Sequence, residues 1–350
     1  MGQMKIRLLV ISFFLIACTA QPLSPTPTLR SVSVFVPLLT ATITTTPEAT
    51  PIILPSATPV LAPYEQQYSI EYLRHRSYGG GALEVAEKLA EHEKYSTYTV
   101  RYSSDGLFIY AVMNVPNGDA KYPVVISVHG YFPTDEYYVL DTDFAIEDRL
   151  AEEGYITIHP TLRNYPPSDN GDNLFRVGDA IDILNLIAIV KTHGGEGVLE
   201  KADSTRIGIG GRSMGGGITL RVLTVTSDVK AAYLYSPISG DESRNVEFFR
   251  SYARRDPQFK GEVDAPADVI ENISPQNYYQ NIMASILLAH GESDRIVPVT
   301  WTEDTCELLK QAGIQKRCIF YKGADHTFYA DDLDDFMDEI LAFFALHLRQ

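Results

Sequence analysis

The sequence predicts an α/β protein whose mostly parallel, doubly wound sheet has an antiparallel N-terminal edge and a small inserted cap. Three observations lead to this class. Six short segments are apolar on both faces, as strands buried between two layers of helices are. Helical segments lie between several of them, and this alternation is typical of parallel sheets. Two earlier segments alternate polar and apolar residues, which predicts an antiparallel pair.

The composition is that of a globular protein with an acidic surface. Of the 350 residues, 45% are hydrophobic and 21% are charged, which excludes a disordered or fibrous chain. The 45 acidic and 29 basic side chains give a net charge of −16. Since such a surface repels phosphate backbones, the sequence predicts no nucleic-acid partner.

The first 17 residues have the features of a bacterial export signal. Lys5 and Arg7 precede a short apolar core, Leu8–Ala17, which is too short to span a bilayer of about 30 Å. The run Leu15-Ile16-Ala17-Cys18 resembles the lipobox of bacterial lipoproteins, in which the cysteine carries the lipid. We therefore expect an exported protein anchored through Cys18 to a membrane, at the cell surface or in the periplasm. A simple secretory signal with a chance cysteine is the alternative.

Residues 18–63 form a second segment of unusual composition. Thr, Pro, Ser, Ala and Val dominate it, and after Cys18 Arg30 and Glu48 are its only charges. Because the recurring prolines prevent a helix or a central strand, the segment is predicted to be an extended tether. The composition becomes globular at about residue 64, so we expect one folded domain over residues 64–350.

The folded domain is expected to begin with a helix over Ala82–His92, where the apolar residues have helical spacing. Tyr95–Arg101 and Leu107–Val115 follow as the antiparallel pair around a turn at 103–106. The buried strands are predicted at 124–128, 155–158, 207–209, 231–235, 285–289 and 318–321. Further helices are predicted at 143–153, 177–192, 214–226, 303–312 and 331–348.

Residues 240–281 interrupt the alternation of strands and helices. The segment is polar, charged and aromatic, and it lies between two predicted strands. Ligands of open α/β sheets bind beyond the carboxyl ends of the strands. We therefore expect this insertion to be a cap that forms a wall of a pocket there.

The motif that indicates chemistry is Gly211-Arg212-Ser213-Met214-Gly215, directly after a predicted strand and directly before a helix. This G-x-S-x-G context is typical of a nucleophilic serine on a sharp turn, with flanking glycines that make room for it. A phosphate-binding loop is the alternative, but no Lys-Ser or Lys-Thr pair follows the glycines. Turn glycines without a catalytic role are the other alternative.

A serine nucleophile needs a base and a carboxylate that orients the base. Asp294 and His326 each follow a predicted strand, and they come after Ser213 in the order that this arrangement uses. Glu292 is the alternative carboxylate. His290, directly at a strand end, is expected to have a structural role.

The developing oxyanion needs two hydrogen-bond donors. The N–H of Met214, directly after the serine, is one candidate. The N–H of Tyr131, in the loop His129-Gly130-Tyr131 after the first buried strand, is the other. We expect His129 to support this loop through hydrogen bonds.

Two cysteines remain once Cys18 is assigned to the lipid. Cys306 lies on a predicted helix and Cys318 on the strand after it, so an exported domain is expected to join them in a disulfide. Two reduced cysteines in the core are the alternative. Neither has a His or Cys at metal-ligand spacing, so no metal site is predicted.

Together the motifs resemble an α/β-hydrolase of the prolyl oligopeptidase type, which includes dipeptidyl-peptidase-like and acyl-esterase-like enzymes, over about residues 95–350. The resemblance is carried by His129-Gly130-Tyr131, Gly211–Gly215, Ser274-Pro275, His290–Asp294 and Asp325-His326. It implies a hydrolase that needs no cofactor, with Ser213, Asp294 and His326 as the catalytic triad. Residues 64–94 are too few for the large β-propeller that precedes the catalytic domain in that family.

These features lead us to expect a serine hydrolase that cleaves ester or peptide bonds. Small esters or short peptides are favoured over lipids, because the predicted cap lacks a long apolar flap. A carboxylesterase or deacetylase is the alternative to a peptidase. A binding lipoprotein that keeps only the fold is the alternative to an enzyme.

Overall fold

A computed structural model of the chain describes residues 66–134, 137, 144–251, 262 and 265–349. Within these ranges nine strands form one sheet in the order β1-β2-β3-β5-β4-β6-β7-β8-β9. The strands are β1 (Glu84–Glu91), β2 (Tyr95–Ser104), β3 (Leu107–Pro116), β4 (Tyr122–Val128), β5 (Ile156–Thr161), β6 (Ala202–Arg212), β7 (Val229–Tyr235), β8 (Ser285–Gly291) and β9 (Lys316–Tyr321).

Eight α-helices accompany the sheet in the described ranges. They are α1 (Ile70–His75), α2 (Ala145–Glu152), α3 (Val177–His193), α4 (Met214–Val225), α5 (Glu242–Phe249), α6 (Ala267–Ile273), α7 (Val299–Gln311) and α8 (Asp331–Leu348). The strands from β4 to β9 pair in parallel, whereas β1, β2, β3 and β5 pair antiparallel with one another in that order. The prediction of a mostly parallel sheet with an antiparallel N-terminal edge is confirmed.

Both faces of the sheet are covered, and the alternation of side chains along β4 shows how. Val124 and Ile126 belong to one apolar core with residues of α3 and α4. Val125, between them, belongs to a second core with residues of α2 and α8. Because successive side chains of a strand point to opposite faces, a strand between two helical layers must be apolar throughout. The doubly wound arrangement therefore follows from the apolar runs in the sequence.

The helix predicted over Ala82–His92 is wrong, because the structure places the edge strand β1 there. Leu83 just before it is buried, but most side chains of β1 are exposed on both faces. A strand that buries neither face has no reason to alternate polar and apolar residues, so its pattern carries no strand signal. Pairing with β2 along Glu84–Glu91 outweighs the helical spacing. Charges on an edge strand also discourage pairing with another chain.

The insertion between β7 and β8 is fixed to the helical layer by a buried ionic cluster. Arg176, just before α3, donates to Glu242 at 2.8 Å and to Glu262 at 3.0 Å. Arg221 of α4 also pairs with Glu242, the first residue of α5. All four side chains are almost fully buried, so the loss of one partner would leave a buried charge uncompensated. The cluster therefore holds α5 near the start of α3.

Cys306 in α7 and Cys318 in β9 are joined by a disulfide, with Cα atoms 6.6 Å apart. The two cysteines are separated by 12 positions in the sequence, so the bond closes a short loop. In the chain-entropy model a loop of this size contributes about 3 kcal/mol to stability. The disulfide ties the last edge strand of the sheet to the helix that covers it.

The expected signal peptide (residues 1–17), Cys18 and the tether (residues 18–63) lie outside the described residues. Within the described ranges, no helix combines the length and the apolar character needed to cross a membrane. The same residues contain no group of three or more His, Cys, Asp and Glu side chains that could hold a metal ion.

Candidate active site

Ser213 occupies the sharp turn between β6, which ends at Arg212, and α4, which begins at Met214. Its backbone has φ 54° and ψ −118°, a region that costs an ordinary residue of order 1–3 kcal/mol. Neighbouring backbone holds it there: the Ser213 N–H donates to the Tyr235 carbonyl at 2.9 Å, and the Ser213 carbonyl accepts from the Ile238 N–H at 3.1 Å. The surrounding structure therefore holds the backbone of Ser213 in this strained conformation.

The glycines on either side of the serine are needed because the backbone approaches other backbone closely. A Cβ atom on Gly211 would overlap the carbonyl group of Gly215. A Cβ atom on Gly215 would overlap the carbonyl group of Val128, at the end of β4. The turn can therefore close only when Gly211 lacks a side chain, and it can pack against the end of β4 only when Gly215 lacks one.

Asp294 and His326 meet at the carboxyl ends of β8 and β9. His326 Nδ1 lies 2.7 Å from Asp294 Oδ2, and both side chains are buried. His326 and Ser213 line the same cavity, which has a volume of about 230 Å³. Among the described residues the Ser213 hydroxyl has no hydrogen-bond partner, so the serine-to-histidine contact is not made in this state. Serine–base contacts are often loose without substrate and tighten when it binds.

The Asp294 carboxylate is surrounded by donors. Its Oδ1 atom accepts from the backbone N–H groups of Ile296 and Val297, each at 2.8 Å. Burial raises the pKa of Asp294, but hydrogen bonds from His290 and His326 outweigh burial and hold that pKa well below its usual range. Asp294 is therefore an anion at neutral pH, as a carboxylate that orients a histidine must be.

His290 lies closer to this centre than its expected structural role implies. Its Nε2 atom is 2.9 Å from Asp294 Oδ2, the oxygen that also faces His326. The sequence did contain a signal for this contact, because His290 and Asp294 are four residues apart across the end of β8. That spacing alone does not show which way the ring faces.

Glu292, the alternative carboxylate, and Asp325, the neighbour of His326 in sequence, have different surroundings from Asp294. Glu292 is exposed. Asp325 accepts from the Arg295 guanidinium at 2.7 Å and from the backbone N–H of His326 at 2.8 Å. The imidazole of His326 thus has Asp294 as its carboxylate partner.

The loop after β4 presents the N–H of Tyr131 through a contact made by His129. Leu162 N–H donates to His129 Nε2 at 3.4 Å, so the hydrogen of the ring is on Nδ1, which donates to the Gly130 carbonyl at 2.7 Å. Burial, together with nearby His159, lowers the pKa of His129 to about 3, so the ring is neutral. Because the C=O and N–H of a trans peptide point in opposite directions, fixing the Gly130 carbonyl also fixes the direction of the Tyr131 N–H.

Met214 supplies a second N–H from the helix. As the first residue of α4, it is among the four whose N–H groups lie beyond the hydrogen bonds of the helix. The positive end of the helix dipole lies at the same place and favours an anion there. The start of α4, directly after Ser213, is therefore a favourable place for an oxygen that develops negative charge.

A second cavity of about 280 Å³ adjoins the first, and Gly130, Phe132 and Arg212 line both. In its lining, His159 Nδ1 lies 2.8 Å from Glu147 Oε1, and Ser127 Oγ lies 2.7 Å from the Tyr233 hydroxyl. The sequence analysis missed this polar group because its members come from separate elements without a shared motif.

Aromatic side chains from the cap reach the first cavity. Phe248 and Phe249 of α5 line it together with Tyr131, Phe132 and Ile296. The Arg176 guanidinium lies 4.9 Å from the ring centre of Phe249. The expectation that the insertion forms a wall of the pocket is met by these two phenylalanines.

Comparison with known proteins connects this arrangement to hydrolases. The model of the dienelactone hydrolase family matches residues 109–341. The uncharacterized peptidase YuxL of Bacillus subtilis is 23% identical over 241 residues, which are 65% of this chain and 35% of that protein. The chain thus spans about a third of the length of that relative.

Two solved structures share the fold. Acetyl xylan esterase 1 from a Thermoanaerobacterium species superposes with a TM-score of 0.59 at 18% identity, over 80% of this chain and 92% of the esterase. The acylaminoacyl peptidase of Pyrococcus horikoshii superposes with a TM-score of 0.60 at 22% identity, over 74% of this chain and 43% of the peptidase. The α/β-hydrolase fold expected from the motifs is therefore shown, with neighbours among both esterases and peptidases.

Proposed function

Because the chain belongs to the dienelactone hydrolase family and is a hydrolase of the serine type, we propose that it cleaves small esters through an acyl-enzyme on Ser213. The observation that carries the proposal is the cavity that Ser213 and His326 line together, with Asp294 2.7 Å from the imidazole. Nucleophile, base and orienting carboxylate are the parts that acyl transfer to a serine requires.

In the proposed reaction the Ser213 oxygen attacks the ester carbonyl while His326 Nε2 takes the hydroxyl proton. Asp294 accepts from His326 Nδ1 and stabilises the imidazolium that forms. The carbon–oxygen bond to the alcohol then breaks, and His326 returns the proton to the leaving oxygen. Water attacks the acyl-enzyme in the same way, with His326 again as the base, and releases the acid and free Ser213.

The N–H groups of Tyr131 and Met214 are the proposed donors to the tetrahedral oxyanion. The Tyr131 group is held by the His129 contact described above. Donors that are fixed before the reaction need no reorganisation as charge develops, and each such donor is worth about 10²–10³-fold in kcat.

Small substrates fit the space beside Ser213 best. The two adjoining cavities have volumes of about 230 and 280 Å³, at or below the lower end of the range usual for drug-sized ligands. Aromatic side chains from the loop after β4 and from α5 give the first cavity an apolar wall. Short peptides are the second candidate, because a curated relative is named as a peptidase.

A substrate panel tests this assignment. We expect p-nitrophenyl acetate and butyrate to be hydrolysed with kcat/KM at least 10-fold above that of triglyceride emulsions, because the cavities hold a short acyl group but no long chain. N-acetylphenylalanine ethyl ester and N-acetylphenylalanine amide form a matched ester–amide pair. Faster hydrolysis of the emulsion would contradict the choice of small esters. Because the alcohol is the better leaving group, every serine hydrolase should cleave the ester faster than the amide. Hydrolysis of the amide that is lost in Ser213→Ala would make the protein a peptidase, and we expect none.

We further propose that residues 1–17 are a lipoprotein signal, that Cys18 carries a lipid, and that residues 18–63 tether the catalytic domain, residues 64–350, outside the cytoplasm. The support is the charge, apolar core and lipobox-like run of the sequence. In a bacterial host, radioactive palmitate should label the wild-type chain and not Cys18→Ser, while Cys306→Ser should keep the label. Label that persists in Cys18→Ser would contradict the anchor.

A further inference from the structure

The buried histidine behind Asp294 has two neighbours that determine where its hydrogen lies. His290 is fully buried at the end of β8. Its Nε2 atom lies 2.9 Å from Asp294 Oδ2 and 3.1 Å from the carbonyl oxygen of Val297. An ionised carboxylate and a carbonyl are acceptors only, so Nε2 must carry the hydrogen and donate.

The other ring nitrogen has a donor of its own. His290 Nδ1 lies 2.7 Å from the hydroxyl oxygen of Thr302 in α7, which is also fully buried. A neutral ring with its hydrogen on Nε2 accepts the Thr302 hydroxyl at Nδ1, and this arrangement satisfies both buried groups without an additional charge. A directed series of hydrogen bonds therefore runs from the Thr302 hydroxyl to His290 and from His290 to Asp294.

This series of hydrogen bonds ends on the carboxylate oxygen of Asp294 that also accepts from His326. Asp294 Oδ2 lies 2.9 Å from His290 Nε2 and 2.7 Å from His326 Nδ1. A carboxylate oxygen that accepts from two N–H groups is held in one place and attracts each donor less strongly than it would attract one alone. His290 can therefore act on both the position and the charge distribution of Asp294.

We propose that His290 is a positioning residue of the hydrolase. Its Nε2–H group holds the Asp294 carboxylate against His326 and limits how strongly that carboxylate stabilises the protonated imidazole. This inference rests on the proposed roles of Ser213, Asp294 and His326.

The charged surroundings of the pair are limited. Within the described residues, His290 and His326 contact the Asp294 carboxylate. Tyr235 is a third titratable group near it, because burial and, to a smaller extent, the charge of Asp294 raise the pKa of that tyrosine. His326 shares its cavity with Arg212, while Asp325, its neighbour in sequence, pairs with Arg295. A change at His290 should therefore reach His326 through Asp294.

Two substitutions at this position separate the donor from the bulk of the side chain. His290→Met fills a similar volume without an N–H, and His290→Gln offers an amide N–H in the same direction. With p-nitrophenyl butyrate we expect His290→Met to lower kcat about 10-fold. We also expect the acid limb of its kcat/KM profile to move to higher pH, because the unshared carboxylate favours protonated His326 more strongly. In His290→Gln, both kcat and the pH of the acid limb should lie closer to those of the wild type.

A spectroscopic measurement follows the same contact without turnover. The low-field proton resonance of His326 Nδ1–H should move further downfield in His290→Met, since its hydrogen bond to Asp294 strengthens. His193→Met is the control, because it removes another histidine that lies near a carboxylate, Glu196, at 3.6 Å, and His193 lines neither cavity. That control should leave the acid limb and the resonance in place.

Thr302 provides the test if His290→Met fails to fold. Thr302→Val removes the hydroxyl at nearly constant volume and should move the acid limb in the same direction by a smaller amount, whereas Thr302→Ser should not move it. If the folded variants lose stability only, with limb and resonance as in the wild type, His290 is structural and the proposal is wrong. If the wild-type chain hydrolyses no ester, the proposed function fails, while the resonance still tests the contact between His290 and Asp294.

Discussion

Replacing Ser213 by alanine is expected to lower kcat/KM for a short p-nitrophenyl ester by about 10⁴–10⁶-fold. The substitution removes the oxygen that would form the acyl-enzyme, and no other hydroxyl at this turn can replace it. The oxyanion donors and the cavity remain, so a residual rate above that of water is expected. Because the alanine must keep the positive φ that Ser213 adopts, the fold should be retained at a similar energetic cost.

The measurement combines ester hydrolysis with covalent labelling by a fluorophosphonate probe. Ser236→Ala is the matched control, because Ser236 is buried after β7 and also has a positive φ. Its hydroxyl has no hydrogen-bond partner among the described residues, so its removal should cost little. We expect the wild type and Ser236→Ala to be labelled, and Ser213→Ala to remain unlabelled.

Two outcomes would contradict the assignment in different ways. Labelling that persists in Ser213→Ala would place the nucleophile at another residue. A wild-type chain that folds but is neither labelled nor active on any ester of the panel would favour a binding protein that has kept the fold. In the second outcome, the contact between Asp294 and His326 would have no catalytic role.

The buried part of the sheet could be predicted from the sequence, because a strand that is buried on both faces is apolar along its length. The segment 124–128, for example, is apolar throughout except for one serine, and its residues in β4 pack against helices on both sides. β1 could not be predicted by the same means, since most of its side chains are exposed. What fixes β1 is its pairing with β2, and pairing between backbones leaves no pattern of side chains.

The residues of the candidate site also fall into those with a local signal in the sequence and those without one. Ser213, Asp294 and His326 could be proposed because each follows a strand, and the carboxyl ends of parallel strands share one edge of the sheet. The pair Glu147–His159 could not be proposed, because α2 and β5 bring it together only after the helix packs on the sheet. His290 lies between these cases, since its spacing to Asp294 was visible but its direction was not.

Replacing Asp294 by asparagine is expected to lower kcat about 10³–10⁴-fold while leaving the fold intact. The amide is nearly isosteric with the carboxylate, so the contacts from Ile296 and Val297 can remain on its oxygen. Its NH₂ group would then face both His326 Nδ1 and His290 Nε2, and each ring must move its hydrogen to the other nitrogen to avoid two opposed donors. The imidazole of His326 would take the tautomer with its hydrogen on Nε2 and could no longer accept the Ser213 proton.

The same substitution should change how stability depends on pH. The pKa of Asp294 is lower in the folded chain than its unfolded value of about 3.9, so its charge stabilises the fold above that pH. This contribution is lost as the pH falls through the folded pKa. Wild type should therefore lose more stability between pH 5 and pH 3 than Asp294→Asn, which has no carboxylate at this position to protonate. Urea unfolding at both pH values measures the difference.

Asp325→Asn is the matched control for both measurements. Asp325 adjoins His326 in sequence, but its carboxylate pairs with the exposed Arg295. A pair at the surface contributes little to stability, because water and salt screen its charges. We therefore expect Asp325→Asn to keep kcat within about threefold of the wild type. If Asp294→Asn instead kept more than a tenth of wild-type kcat, or if Asp325→Asn lost more activity than Asp294→Asn, the carboxylate that orients His326 would have to be sought elsewhere.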